Sequence, residues 1–127
     1  MINETFLIEP KNKKLWNKFL SLIPNNKKDI YYFAEYVNLY KNKTCTPKCY
    51  VYKSKDNIFF YPFIKRKIFK KNFFDIITPY GYGGPIVKNY DKKFILEALN
   101  NYYGILKENK VICEQIKFHP LLQNVEI

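Results

Sequence analysis

Three of the chain's four glycines fall in one short stretch, and this stretch most limits how the 127 residues can fold. They are Gly81, Gly83 and Gly84. An apolar run, 76–77, precedes them, the run breaks at Pro79, and a helical pattern begins at Asp91. A strand, a glycine loop and a helix in this order can hold a phosphate or a carbonyl oxygen against backbone N–H groups.

The spacing of apolar residues predicts the elements on either side of this loop. We expect strands at 6–8, 48–53, 57–68, 75–78 and 111–118, and helices at 11–23, 33–42 and 91–109. The first strand is typical of a sheet edge. Pro62 implies a bulge, a bend or an edge, because proline cannot donate to a strand ladder. The order predicts a single α/β or α+β domain with an antiparallel meander and one crossover helix.

The net charge of +11 favours anionic partners such as nucleic acid or a nucleotide-linked substrate. Arg66 is the only arginine, although arginine is the usual residue for bidentate recognition of phosphate or guanine. We therefore prefer a solvated lysine surface, which coding bias alone would produce, to a nucleic-acid footprint. The basic and aromatic run 59–74 could stack on single-stranded nucleic acid, but a buried strand followed by a solvated hairpin is again the preferred interpretation.

Features near the start of the chain and the cysteines favour a cytoplasmic protein. Asn3 and Glu4 interrupt the chain before any apolar run, and Cys45, Cys49 and Cys113 make an odd count typical of free thiols. No apolar run approaches the ~20 residues of a membrane span, so we expect no integral membrane segment. The C-x-x-x-C spacing lacks a second pair of ligands, so we predict no metal site.

The candidate catalytic residues are His119, the chain's only histidine, and Asp75, with Glu114 as a second carboxylate. Each could move a proton if its environment tunes its pKa. A hydrogen-bonded structural histidine and an ion-paired carboxylate are the alternatives.

The candidate substrate-binding residues are those of the glycine loop: Tyr80, Gly81, Tyr82, Gly83 and Gly84. The glycine amides would donate to an oxyanion or a phosphate, and the tyrosines would frame the site. An ordinary tight connection between two elements would also require these glycines, so both interpretations stay open.

The block at 75–85, D-I-I-T-P-Y-G-Y-G-G-P, resembles the one found in FemAB-like acyltransferases of the GNAT superfamily, which act in cell-wall and surface-polysaccharide biosynthesis. Other segments are similar and occur in the same order. They are Ile8-Glu9-Pro10 with Trp16, Asp29-Ile30-Tyr31-Tyr32, the run 59–66, and the run 116–120.

The resemblance implies a GNAT-like mixed, mostly antiparallel sheet with helices on both faces. It implies transfer of an acyl or aminoacyl group to an amine, with acyl-coenzyme A or aminoacyl-tRNA as donor and no metal. It also implies that the chain is a half-domain, the N-terminal part of a longer two-half enzyme, with a second GNAT-like half as partner. A non-catalytic module that binds an anionic glycan, nucleotide or tRNA is the alternative, and a degenerate fragment is a third possibility.

Overall fold

One mixed sheet organises the part of the chain that the structure, a computed structural model, describes: residues 3–68, 72–122 and 124–127. Its six strands within those residues are β1 (Glu4–Ile8), β2 (Cys45–Lys53), β3 (Ile58–Lys67), β4 (Phe74–Ile77), β5 (Ile86–Val87) and β6 (Val111–Gln115). The helices are α1 (Lys13–Leu20), α2 (Ala34–Asn38) and α3 (Lys92–Glu108). The strand order is β1-β2-β3-β4-β6, and β5 pairs with β3.

The sheet is mostly antiparallel, and this confirms the predicted α+β class. Strands β1 to β4 form the expected antiparallel meander, with β1 at an edge. Strand β6 returns parallel to β4 after the crossover through α3. No helix in the described residues is long and apolar enough to cross a membrane.

Helices cover both faces of the sheet, as expected, because the long strand β3 is apolar on both sides. Helices α1 and α2 pack on one face, where Trp16 meets Phe60 edge to face at 5.8 Å between ring centroids. Helix α3 packs on the other face, where Tyr102 lies against Tyr61 at 5.3 Å. Strand β3 therefore separates two hydrophobic cores.

Side chains at the helix ends explain where α1 and α3 begin. The Leu15 amide donates to the Asn12 side chain (3.4 Å), and the Phe94 amide donates to the Asp91 carboxylate (3.2 Å). Such caps satisfy N–H groups that have no partner within the helix. Asp91, where the helical pattern of the sequence begins, therefore caps α3.

The predicted helix at 33–42 is wrong in its extent. The chain forms a 3₁₀ turn at Ile30–Tyr32, becomes extended at Phe33, and then makes only the short α2. Two polar side chains explain these limits: Asp29 accepts from the Ile30 amide, and Asn42 accepts from the amides of the next turn. Local side-chain bonds of this kind compete with helix formation.

The region after the glycine loop also differs from the expectation of a loop leading straight into a helix. The two-residue strand β5 intervenes and pairs with Phe59 and Phe60, so the loop reaches α3 only after this extra strand. Pro62 lies between the parts of β3 that pair with β5 and with β4, while its pairing with β2 continues without a shift. Of the bulge, bend or edge that Pro62 implies, the β2–β3 pair shows no bulge. On the other side of β3, Pro62 lies in the gap between the residues that pair with β5 and with β4, which is a local edge in the described sheet.

We predict that Phe60→Ala lowers the free energy of unfolding by about 3–5 kcal/mol, because its fully buried ring contacts Trp16 and truncation leaves a cavity. Urea unfolding followed by circular dichroism measures this change. Leu96→Ala is the control: that side chain is half exposed on α3 and should change the value by less than about 0.5 kcal/mol. Equal effects of the two substitutions would contradict the two-core description.

Candidate functional site

The carboxyl ends of the parallel strands β4 and β6 are held together by the residues that follow them. The Thr78 amide donates to the Gln115 carbonyl (3.2 Å), and the Lys117 amide donates to the Thr78 hydroxyl (2.9 Å). The Gly83 amide then donates to the Lys117 carbonyl (2.8 Å). The predicted continuous strand at 111–118 is therefore wrong in its extent. The strand ends at Gln115, and one further bridge joins Gly83 and Phe118. The glycine loop is therefore attached to the segment after β6.

Gly81 and Gly83 each meet a neighbour that leaves no room for a side chain, and a Cβ on Gly84 would be in tight contact with Ile116 at 3.0 Å. A Cβ on Gly81 would lie 2.4 Å from the Tyr31 ring, and one on Gly83 would lie 2.6 Å from the Thr78 methyl group. Gly81 and Gly84 also have φ values of +101° and +90°, which favour glycine. The tight connection considered from the sequence accounts for all three glycines, and the Gly83 amide is engaged within the fold.

His119 is buried beside this loop, with both ring nitrogens engaged. Its Nδ1 accepts from the Leu121 amide (3.2 Å), so the neutral ring carries its proton on Nε2. That nitrogen lies 2.9 Å from the Asp29 carboxylate, 90 residues earlier in the chain. The arrangement matches the alternative of a hydrogen-bonded structural histidine, and it pairs His119 with a carboxylate that sequence reasoning did not select.

Asp29 is the exposed member of this pair, with 43% of its side chain accessible. The hydrogen bond from His119, followed by one from the Ile30 amide (2.6 Å), lowers the pKa of the Asp29 carboxyl below its ordinary value. A carboxylate with a lowered pKa stays ionised at neutral pH. Asp29 therefore presents a fixed negative charge beside the loop.

Asn124 joins the histidine to the glycine loop and was not foreseen from the sequence. Its side-chain oxygen accepts from the His119 amide (2.9 Å), and its amide nitrogen lies 2.7 Å from the Gly83 carbonyl and 3.1 Å from the Tyr32 hydroxyl. The side chain is buried. A single asparagine carries no local signal of such a role, because Tyr32 and Gly83 lie 92 and 41 residues away in sequence.

Two aromatic rings lie against the histidine, and one of them, Tyr82, belongs to the predicted site. Tyr82 lies 5.3 Å from the His119 ring and 5.8 Å from Tyr31, with Lys117 Nζ above its face at 5.3 Å. Tyr80 is 81% exposed, and its carbonyl accepts from the Tyr36 hydroxyl. The structure thus brings Tyr82, the glycines and His119 together.

Asp75 lies in β4 and is engaged by Arg66 of β3. The guanidinium donates to both carboxylate oxygens, through Nε (2.9 Å) and Nη2 (2.7 Å). This bidentate pair is the ion-paired alternative considered from the sequence. Asp75 is thus set apart from the bonded group of His119, Asp29 and Asn124.

Glu114 faces the opposite side of the sheet, where α3 packs. It accepts from the hydroxyls of Tyr61 (2.5 Å) and Tyr102 (2.6 Å). Burial, followed by the Glu114 charge, raises the pKa of Tyr61, so this phenol stays a donor. The contacts of Glu114 anchor α3 to the sheet.

A groove of about 270 Å³ opens at the carboxyl ends of β4 and β6. Its lining includes Arg66, Thr78, Tyr80, Gln115 and Lys117. Two cations, two hydroxyls and one amide are suited to hold an anion and orient a polar group beside it. Ligands of sheets with parallel strands commonly bind outside the carboxyl ends of those strands.

The cysteines and the acidic residues show no metal-binding arrangement in the described ranges. No group of three or more His, Cys, Asp or Glu side chains there could hold a metal ion. Cys45, Cys49 and Cys113 are free thiols, and burial raises the pKa of the Cys49 thiol. Comparison of the chain with protein-family models, curated proteins and solved structures gives no match.

We predict opposite effects for alanine at two glycines. Gly84→Ala should lower the free energy of unfolding by about 1–3 kcal/mol, because it forces a left-handed backbone conformation on alanine. Gly104→Ala, in α3 with open space around it, should raise the same quantity by about 0.5–1 kcal/mol. Thermal unfolding of both variants tests this, and tolerance of alanine at Gly84 would contradict the packing role.

We predict that Asp29→Asn destabilises the fold in a pH-dependent way. Because the folded pKa of Asp29 is lowered, its stabilisation is complete above the ordinary pKa of 3.8 and is lost as pH falls through the folded value. At pH 7 we expect Asp29→Asn to lower the free energy of unfolding by about 1 kcal/mol. This value is modest because the carboxylate is partly exposed. Urea unfolding from pH 7 to pH 2.5, with Asp56→Asn as control, should show the difference from wild type shrinking below about pH 4. A difference that stays constant with pH would contradict the pairing.

Proposed function

We propose that the chain is an acyltransferase-like domain, acting in the cytoplasm, that transfers an acyl or aminoacyl group to an amine of a cell-wall or surface-polysaccharide precursor. The observation that carries the proposal is the groove at the carboxyl ends of β4 and β6, with Arg66 and Lys117 in its lining. Donors of the expected classes, acyl-coenzyme A and aminoacyl-tRNA, carry phosphates that two cations would attract.

The topology supports this proposal. The antiparallel meander, the crossover helix and the final parallel strand together form a mixed, mostly antiparallel sheet, as the resemblance to GNAT acyltransferases implies. Helices on both faces agree with the same expectation. A second GNAT-like half would be the partner domain, and it would complete the acceptor side of the groove.

The reaction would proceed by direct attack. The lone pair of the acceptor amine forms a bond to the carbonyl carbon of a thioester or aminoacyl ester. The carbon–sulfur or carbon–oxygen bond then breaks, and the amine's proton ends on the departing thiol or hydroxyl. No covalent enzyme intermediate is required, so no nucleophilic side chain is needed. Lys117 and Arg66 would hold the donor, and Thr78 and Gln115 would orient its polar groups.

The candidate proton carriers are both engaged in this arrangement. His119 bonds Asp29 and the Leu121 amide, and Asp75 bonds Arg66. Proton transfer through either residue would first require one of these bonds to open. We therefore assign His119 a positioning role, in which it holds Asp29 and the glycine loop beside the groove.

Because the hydrogen bonds of His119 and Asp75 hinder proton transfer, they also favour a second candidate function. This candidate is a non-catalytic module that binds an anionic glycan, nucleotide or tRNA. The net charge of +11 fits such a ligand. The two functions differ in a measurable way, because a binding module shows salt-dependent affinity and no product.

We expect the protein to transfer radiolabelled acetyl or aminoacyl groups to amino sugars and cell-wall precursors, with product separated by chromatography. Lys117→Ala should raise the donor KM roughly tenfold, because a charge-assisted contact is lost. Lys55→Ala, in the exposed β2–β3 turn, is the matched control and should leave KM unchanged. Binding of tRNA or nucleotides without transfer from any donor would overturn the acyltransferase proposal in favour of the binding module.

A further inference from the structure

The groove extends beyond its cationic end, across the face of the sheet that carries α1 and α2. One row of directly paired residues crosses four strands there: Pro47, Ile64, Ile77 and Gln115. Directly paired residues point to the same face of a sheet. Three interstrand spacings of ~4.8 Å make this row roughly 14 Å long.

The part of the groove over β2 and β3 is apolar and larger than the cationic part. It has a volume of about 460 Å³, and its lining includes Leu39, Tyr40, Cys45, Ile64 and Ile77. Leu39 is 76% exposed although it borders this volume. An apolar lining bordered by an accessible leucine favours an aliphatic group over a polar one.

The two parts are continuous, because the segment from Ile77 to Tyr80 lines both. We call the cationic part the head site and the apolar part the tail site. A ligand lying over Ile77 would reach both at once, without a long polar spacer between its charged and apolar ends.

The head site has a small net positive charge, because Asp75 is paired with Arg66. Arg66 donates through Nε and Nη2 to Asp75, which leaves Nη1 as the guanidinium nitrogen for a ligand. With Lys117, the three side chains carry a net charge of +1. Lys41 adds a further positive charge beside the tail site. One phosphate group matches this set better than a long polyanion.

We infer that the groove binds a small amphipathic anion: an aliphatic chain that carries a phosphate at one end. The phosphate binds Lys117 and Arg66 in the head site, and the chain crosses Ile77 and lies against Leu39 and Tyr40 in the tail site. The inference rests on the proposed function in one respect, since it assigns a ligand class to the groove proposed for the donor. Its physical basis, an apolar volume next to two cations, stands on the geometry alone.

Calorimetric titration of the protein with inorganic phosphate and with butyl, hexyl and octyl phosphate as monomers tests this inference. We expect Kd to fall about fourfold for each methylene that enters the tail site. Lys117→Ala should weaken all four ligands by a similar factor and leave the dependence on chain length intact. Equal affinity along the series would overturn the inference.

Two variants of exposed leucines on opposite faces of the sheet distinguish binding in the tail site from a general effect of surface hydrophobicity. Leu39→Asp should flatten the dependence on chain length, whereas Leu96→Asp, on the α3 face of the sheet, should preserve it. Retention of the full dependence in Leu39→Asp would overturn the inference. The same holds if nucleoside monophosphates bind as tightly as octyl phosphate, or if binding occurs only to anionic vesicles.

Binding and transfer results distinguish this inference from the proposed function. Chain-length-dependent binding without any transfer supports the amphipathic site and contradicts the acyltransferase. If the protein transfers acyl groups but its affinity for alkyl phosphates does not change with chain length, the acyltransferase is supported and the amphipathic site is contradicted.

Discussion

The burial of β3 on both faces is the constraint on which the rest of the structure depends. Every residue from Ile58 to Ile64 is buried. Alternate side chains belong to different cores, so Phe60 packs under α1 and Phe59 under the α3 side. A strand of this kind is stable only if helices cover both faces, and its hydrogen-bonding edges must be occupied by β2 on one side and by β4 and β5 on the other. The positions of the helices follow from this requirement.

The elements with long periodic patterns could be predicted from the sequence, and those fixed by single polar contacts could not. The main helix was predicted at 91–109, and the structure has α3 from Lys92 to Glu108 between the caps Asp91 and Asn109. The short helix α2 was overestimated, because its limits depend on side-chain bonds of Asp29 and Asn42 rather than on periodicity. Strand β5 was missed because two residues are too few to show an alternation.

The site shows the same division between local and distant information. The glycines indicate that the backbone of this loop packs closely against other residues. The structure identifies Tyr31, Thr78 and Ile116 as those neighbours. The partner of His119 is Asp29, at the other end of the chain, and no spacing rule joins residues 90 positions apart. An ion pair is one of the alternatives that the sequence offers for Asp75, but its pairing with Arg66 depends on the register between β3 and β4.

In the proposed complex, charge and apolar surface would have different roles in recognising the ligand. The lysine-rich exterior attracts anions at a distance, but salt screens exposed charges beyond about 8–10 Å. Contacts inside the groove are screened less, and the pairing of Arg66 with Asp75 fixes one guanidinium in place while reducing the local positive charge. Attraction alone would therefore bring many polyanions to the surface and retain few in the groove. Salt does not screen apolar contacts, so in the proposed site Ile64 and Ile77 would add selectivity that the net charge of +11 cannot supply.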